Sequence, residues 1–186
     1  MIKRLIAVAA LMAAVLTGCG QENGSGLPDA FPMDFLLSSG AGAWGTSMMI
    51  EKDGTFGGEY HDTDMGDIGE SYPDGTIYVC DFSGRFEDVK RIDEYSYSLT
   101  LAEVNSDYEN GKTWVDDGVR YISAEPYGVE SGEEFILYLP ETPTSELPED
   151  FLSWWPYRFD EENQPDTLNL YGLYKVETGY GFFSEN

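Results

Sequence analysis

Residues 40–86 read GAGAWGTSMMIEKDGTFGGEYHDTDMGDIGESYPDGTIYVCDFSGRF. The stretch predicts three strands and two turns. Trp44 to Ile50 is the first strand, and Lys52-Asp53-Gly54 supplies the hairpin turn, with glycine free to take positive φ. Thr55 to Tyr60 pairs back, with Phe56, Gly58 and Tyr60 on one face. Gly57 and Gly58 predict a bend or a close approach by a neighbouring group. His61 to Tyr72 is an acidic, glycine-bearing loop, and Pro73-Asp74-Gly75 is the second turn. Thr76 to Phe86 is the longest strand. Its period of two puts Tyr78, Cys80, Phe82, Gly84 and Phe86 on one face, opposite Ile77, Val79, Asp81, Ser83 and Arg85.

Outward from this stretch the pattern repeats. Tyr95 to Leu101 alternates as a half-buried strand. Val119 to Ile122, Tyr127 to Val129, Glu134 to Leu139, Leu168 to Val176 and Tyr180 to Phe183 read as further strands. Upstream, Phe31, Phe35, Leu36 and Leu37 form an apolar lead-in, either a strand or a plug against the base. One short helix is predicted over Pro148–Trp155, with proline at its first position, Glu149 and Asp150 in its first turn, and Pro156 ending it. About eight short antiparallel strands with evenly spaced turns make an all-β sandwich or barrel.

Gly42-Ala43-Trp44 resembles the Gly-x-Trp that opens the first strand of lipocalins and avidins. Asp53 to Tyr60 is similar to the second avidin strand, and Phe82-Ser83-Gly84-Arg85-Phe86 to the next. The resemblance implies an eight-stranded up-and-down barrel with Trp44 packed across its closed end. Gly45-Thr46 stands where avidins carry a polar pair that contacts biotin, so biotin binding is not carried over.

The amino terminus carries Lys3 and Arg4, then an apolar run over Leu5–Leu16. That run is shorter than the roughly 20 residues a spanning helix needs, and fits a secretory signal. Leu16-Thr17-Gly18-Cys19 resembles the lipobox of bacterial lipoproteins. In that family a diacylglycerol is attached to the cysteine and the signal is cut just before it. The resemblance implies a signal peptide at 1–18, a lipid-anchored flexible linker at 19–30 and one barrel domain at 31–186, on the extracytoplasmic face of the membrane. Residues 40–86 also look like part of a group of Gram-positive cell-surface lipoproteins of unknown function. With Cys19 lipidated, Cys80 has no disulfide partner and is expected to be a buried, inert thiol.

Loss of residues 1–18 takes the formal charge from −25 to −27. So acidic a chain lacks the clustered cations that phosphate contacts need, which excludes nucleic acid as a partner. It is compatible with cationic ligands, basic peptides or divalent ions, or serves solubility alone.

Catalytic chemistry has little support. His61 is the only histidine, no Gly-x-Ser-x-Gly elbow occurs, and no catalytic residue is assigned. Asp62, Asp64 and Asp67 form the densest carboxylate loop and are the candidate ligands for Ca²⁺. The EF-hand pattern fails there, because the glycine falls one place early and Pro73 replaces the closing Glu. The candidate ligand-binding residues are aromatic: Trp44, Tyr78, Phe82, Tyr97, Tyr138, Trp154 and Trp155. They either stack on a sugar or a cation, or fill the barrel and cap it. The function expected is a lipid-anchored barrel that binds a small apolar, cationic or sugar ligand. The alternatives are an interaction module for an envelope protein and a calcium binder.

Overall fold

A computed structural model describes residues 26–158 and 164–185. The expected signal peptide, the lipobox-like segment with Cys19 and most of the expected linker lie outside the described residues. No helix among the described residues is long and apolar enough to cross a membrane.

Ten strands follow in chain order: β1 (Met33–Ser38), β2 (Trp44–Ile50), β3 (Thr55–Asp64), β4 (Thr76–Arg91), β5 (Ser96–Ser106), β6 (Thr113–Asp116), β7 (Val119–Ser123), β8 (Glu134–Tyr138), β9 (Gly172–Lys175) and β10 (Gly181–Ser184). One short helix, α1 (Glu149–Leu152), follows Pro148. Strands β1-β2-β3-β4-β5-β8-β9-β10 pair antiparallel in turn, and β10 pairs with β1. The result is a closed eight-stranded up-and-down barrel, the fold class the sequence predicts. Closure leaves no free edge on the barrel wall.

Several boundaries differ from the sequence reading. β3 runs on to Asp64, because Trp44 lies opposite Asp62 on one side and Tyr78 opposite it on the other. Two partner strands supply ladder bonds that override the polar composition of His61–Asp64. β4 has 16 residues and two register shifts against β5. Its first part also pairs in parallel with β7, an arrangement outside the barrel wall. Val119–Ile122 therefore belongs to a β6–β7 hairpin, turned at Asp117 and Gly118, both at positive φ. Tyr127 to Val129 is not a strand. It is a turn with Gly128 at φ 83°. The segment Leu168–Val176 contributes only the four residues of β9, because Leu168 instead exchanges backbone bonds with the 141–142 segment.

Two cores result. Phe35, Leu37, Met48, Ile50, Phe56, Phe82, Phe86, Leu99, Leu101, Phe135, Leu137, Leu173 and Phe182 form one continuous buried cluster that fills the barrel. Rings meet across it: Phe56 to Phe86 at 5.2 Å and Phe86 to Phe135 at 5.3 Å between centroids. Each such side chain contributes about 1.5–3 kcal/mol by leaving water. Cys80 belongs to this cluster, and burial raises its pKa above the ordinary thiol value.

The second core lies outside the wall. The β8–β9 connection climbs the outer faces of β8, β9 and β10, and Phe151 of α1 stacks on Phe183 at 4.8 Å. Trp155, Leu168, Leu170 and Tyr174 complete it. Gly172 and Gly181 leave the room that Phe151 occupies, since a Cβ at either would lie within 3 Å of its ring.

Both ends of the barrel are stopped. At the base, Leu27 and Phe31 are buried, and Phe31 meets Phe35 and Tyr171. The lead-in is thus both things the sequence allowed: Phe31 is the plug and Met33–Ser38 the strand. At the opposite mouth, Val129 enters the barrel core and Gly128 packs against Leu37, Phe182 and Tyr180.

Candidate functional site at the barrel mouth

The inward faces of β2 and β3 end at the mouth in large or polar residues. β2 begins with Trp44, and β3 brings Tyr60 and Asp62 to the same level on the neighbouring strand. The inserted 124–133 loop adds Tyr127, the β9–β10 turn adds Tyr180, and the residues after α1 add Trp154. These five rings form one cluster. Trp44 meets Tyr127 at 5.3 Å and Trp154 at 6.1 Å, both edge-on. Tyr127 stacks near Tyr60 at 6.3 Å and lies 5.2 Å from Tyr180. Trp154 meets Tyr180 at 5.5 Å. Tyr127 stays 39% exposed.

The plug loop is held by polar contacts as well. Thr46 Oγ1 donates to the Tyr127 carbonyl at 2.8 Å. The Tyr127 and Tyr180 hydroxyls are 2.6 Å apart. That hydrogen bond, with burial behind it, pushes the Tyr127 pKa up to about 12. Lys175, 1% exposed, pairs with Glu130 and with Glu133. Its Nζ also lies 5.7 Å from the Tyr180 ring centre. Desolvation alone disfavours the ammonium, but the two carboxylates outweigh it and the Lys175 pKa is raised.

Trp44, Tyr60, Asp62 and Tyr127 line a cleft of about 240 Å³ at this mouth. The Asp62 carboxylate makes no hydrogen bond or ion pair with any described side chain or backbone group. On the far side of Trp154 lies a larger cavity of about 760 Å³, floored by Leu36, Leu170 and Phe183 and walled by Tyr157, Ser38 and Ser39.

The structure divides the aromatic residues predicted from sequence. Trp44 and Trp154 come together at the mouth, and Tyr78 stands opposite Asp62 beside them. Phe82 and Tyr97 lie in or against the barrel core. Tyr138 does not share their space: it faces the outer core against Phe151 and Tyr174, where burial pushes its pKa up to about 12. Trp155 is in the outer core at 2% exposure, so it presents no face to a ligand. Tyr60, Tyr127 and Tyr180 were missed. Tyr60 was legible from its place on the Phe56 face. Nothing in the sequence marks Tyr127 or Tyr180 as neighbours of Trp44.

The three aspartates part company. Asp62 faces the mouth cleft. The Asp64 carboxylate accepts from the backbone N–H groups of Gly66 and Asp67. Asp67 pairs with Arg120 of β7. Arg120 also donates to the Tyr72 hydroxyl and to Thr76 Oγ1 at 2.9 and 3.1 Å, folding the loop over the hairpin. Among the described residues no three His, Cys, Asp or Glu side chains are grouped as metal ligands.

A second aromatic face lies on the β6–β7 hairpin. Trp114 stacks on Tyr121 at 5.4 Å, and Tyr108 and Lys112 extend the stack. β6 is the free end of the sheet. No family model, curated protein or solved structure matches this chain.

Proposed function

We propose that this protein is a lipid-anchored envelope lipoprotein whose barrel is a non-catalytic binding module, taking a small ligand at its mouth. The observation that carries the reading is the cluster of Trp44, Tyr60, Tyr127, Trp154 and Tyr180, three of whose rings line a cleft with Asp62, on a barrel whose interior is already filled. A filled barrel leaves no room for a carried guest, so binding falls to the rim. Aromatic faces with a hydroxyl and a carboxylate beside them suit a sugar ring or a small cation. Such clefts with a few convergent polar groups are the usual place for small ligands. The calycin-like reading is supported by Gly42-Ala43-Trp44 at the head of a strand in an eight-stranded meander. The lipid anchor rests on the lipobox at Cys19.

The test is calorimetric titration of the full chain in detergent with envelope sugars and small organic cations, repeated on Trp154→Ala and Tyr180→Ala. Binding that weakens in both variants is expected. Heats identical in wild type and variants would remove the rim from the reading.

A second reading is favoured by the Trp114–Tyr121 stack and the free β6 edge, which suit docking by an extended segment of an envelope protein. Calcium binding by the 62–67 loop finds no grouped ligand set in its favour.

A further inference from the structure

We infer that the ligand of the mouth cleft is an alkylammonium cation, seated between the Trp44, Tyr60 and Tyr127 rings and neutralised by Asp62. This rests on the reading of the mouth as the binding site and narrows it to one ligand class. Four observations carry it.

The cleft lining is three aromatic rings and one carboxylate, with no cation among them. Aromatic faces carry a negative quadrupole and attract cations, most strongly when ring and charge are shielded from water. A neutral hydroxyl can donate a hydrogen bond to Asp62, but only a cation also cancels its charge.

Asp62 and Asp64 share the inward face of β3 at its mouth end, and the Asp62 carboxylate lacks a side-chain partner among the described residues. Its neighbours in the acidic loop are committed elsewhere, Asp64 to its own turn and Asp67 to Arg120. Asp62 is partly exposed, so the cleft presents its carboxylate to a counter-charge arriving from solvent.

The same mouth already houses an ammonium by this chemistry. Lys175 presents its Nζ to the Tyr180 ring and to the Glu130 and Glu133 carboxylates. Tyr127 and Tyr180 share a hydrogen bond, so the empty-handed carboxylate and the filled site are adjacent parts of one surface.

The size agrees. A cleft of about 240 Å³ has room for a trimethylammonium group. The formal charge of −25 also concentrates cations around the molecule.

The experiment is calorimetric titration of the full chain in detergent, at low salt, with choline, with its neutral isostere 3,3-dimethylbutan-1-ol, and with N-acetylglucosamine. Choline is expected to bind about tenfold or more tighter than the isostere. Asp62→Asn is expected to abolish most of that preference, and 0.5 M salt to reduce it. Equal affinity for choline and the isostere overturns the inference without any variant. So does a preference unchanged in Asp62→Asn. If N-acetylglucosamine binds in a Trp154-dependent way and choline does not, the ammonium falls while the mouth remains the site. If none of the three binds, both readings fall.

Discussion

Lys175 Nζ at the end of β9 lies 2.7 Å from Glu133 Oε2 in the 124–133 loop, with Lys175 itself almost wholly out of water. Glu133 and Glu130 belong to the inserted loop that stops the mouth, so this pairing fastens plug to wall. A buried ammonium is tolerated only with such partners, and removing one member strands the others. Lys175→Met is therefore expected to lower stability by about 3 kcal/mol. Urea unfolding measures it. Exchange of the 126–133 amides should rise in the same variant. Unchanged protection there would mean the pair does not hold the plug.

The pH dependence that Lys175, Tyr127 and Tyr138 confer on stability lies in the alkaline range. The Lys175 pKa is raised in the folded state, so its contribution is complete below the unfolded value near 10.5 and is lost as pH rises through the folded one. Tyr127 and Tyr138, both pushed up to about 12, are held as neutral phenols by folding. Their contribution is likewise full below the ordinary tyrosine value of 10 and disappears between pH 10 and about 12. Stability should thus fall above pH 10. Absorbance titration at the phenolate band should show Tyr127 and Tyr138 ionising late, with Tyr60 and Tyr174 also displaced above the ordinary value. Tyr180→Phe removes the hydrogen bond on Tyr127 and should bring it back toward the ordinary value.

The neighbouring tryptophans separate structure from binding. Trp155→Ala opens a cavity in the outer core and is expected to cost about 3–5 kcal/mol. Trp154 is half-buried, and Trp154→Ala should cost about 1–2 kcal/mol while weakening ligand binding at the mouth. Thermal unfolding and calorimetry of the two variants give the comparison. A Trp154→Ala variant as unstable as Trp155→Ala would make it a core residue.

Gly58 answers the question its sequence raised. A Cβ there would lie 2.6 Å from Phe82 Cζ and nearer still to the Ser47 carbonyl oxygen. Gly57 on the other face meets nothing closer than 3.9 Å. Gly58→Ala is expected to destabilise by about 1–3 kcal/mol through overpacking. Gly57→Ala should be close to neutral. Equal effects in urea unfolding would show that bending, not packing, is what the pair supplies.

Arg120 holds the acidic loop. Arg120→Ala leaves Asp67, Tyr72 and Thr76 without their donor and is expected to cost about 1–2 kcal/mol. Hydrogen exchange of residues 65–75 should quicken while the barrel strands stay protected. In that background Asp67 is released, and millimolar calcium should still not slow the exchange. A calcium-dependent slowing would revive the loop as a metal site.

The sequence alone determined most of the barrel strands, the turns at Gly54 and Gly75 and the inward face of β4. Those follow from local chemistry: a period of two, glycines at positive φ, and prolines where helix and strand stop. It also marked Trp44 as the residue at one end, and Phe31 as strand or plug. It did not determine which face of β8 is inside. Phe135 and Leu137 face the barrel while Ile136 and Tyr138 face the crossover, so both faces are apolar and alternation carries no sign. It did not show that His61–Asp64 continues a strand, because the ladder bonds come from β2 and β4 rather than from local propensity. Nor did it assemble the mouth. Thr46 and Tyr127 meet across 81 positions of chain, and Tyr127 and Tyr180 across 53. Closure of the barrel brings those segments to one rim. Only there does Asp62 part from Asp64 and Asp67 and come to stand among aromatic rings.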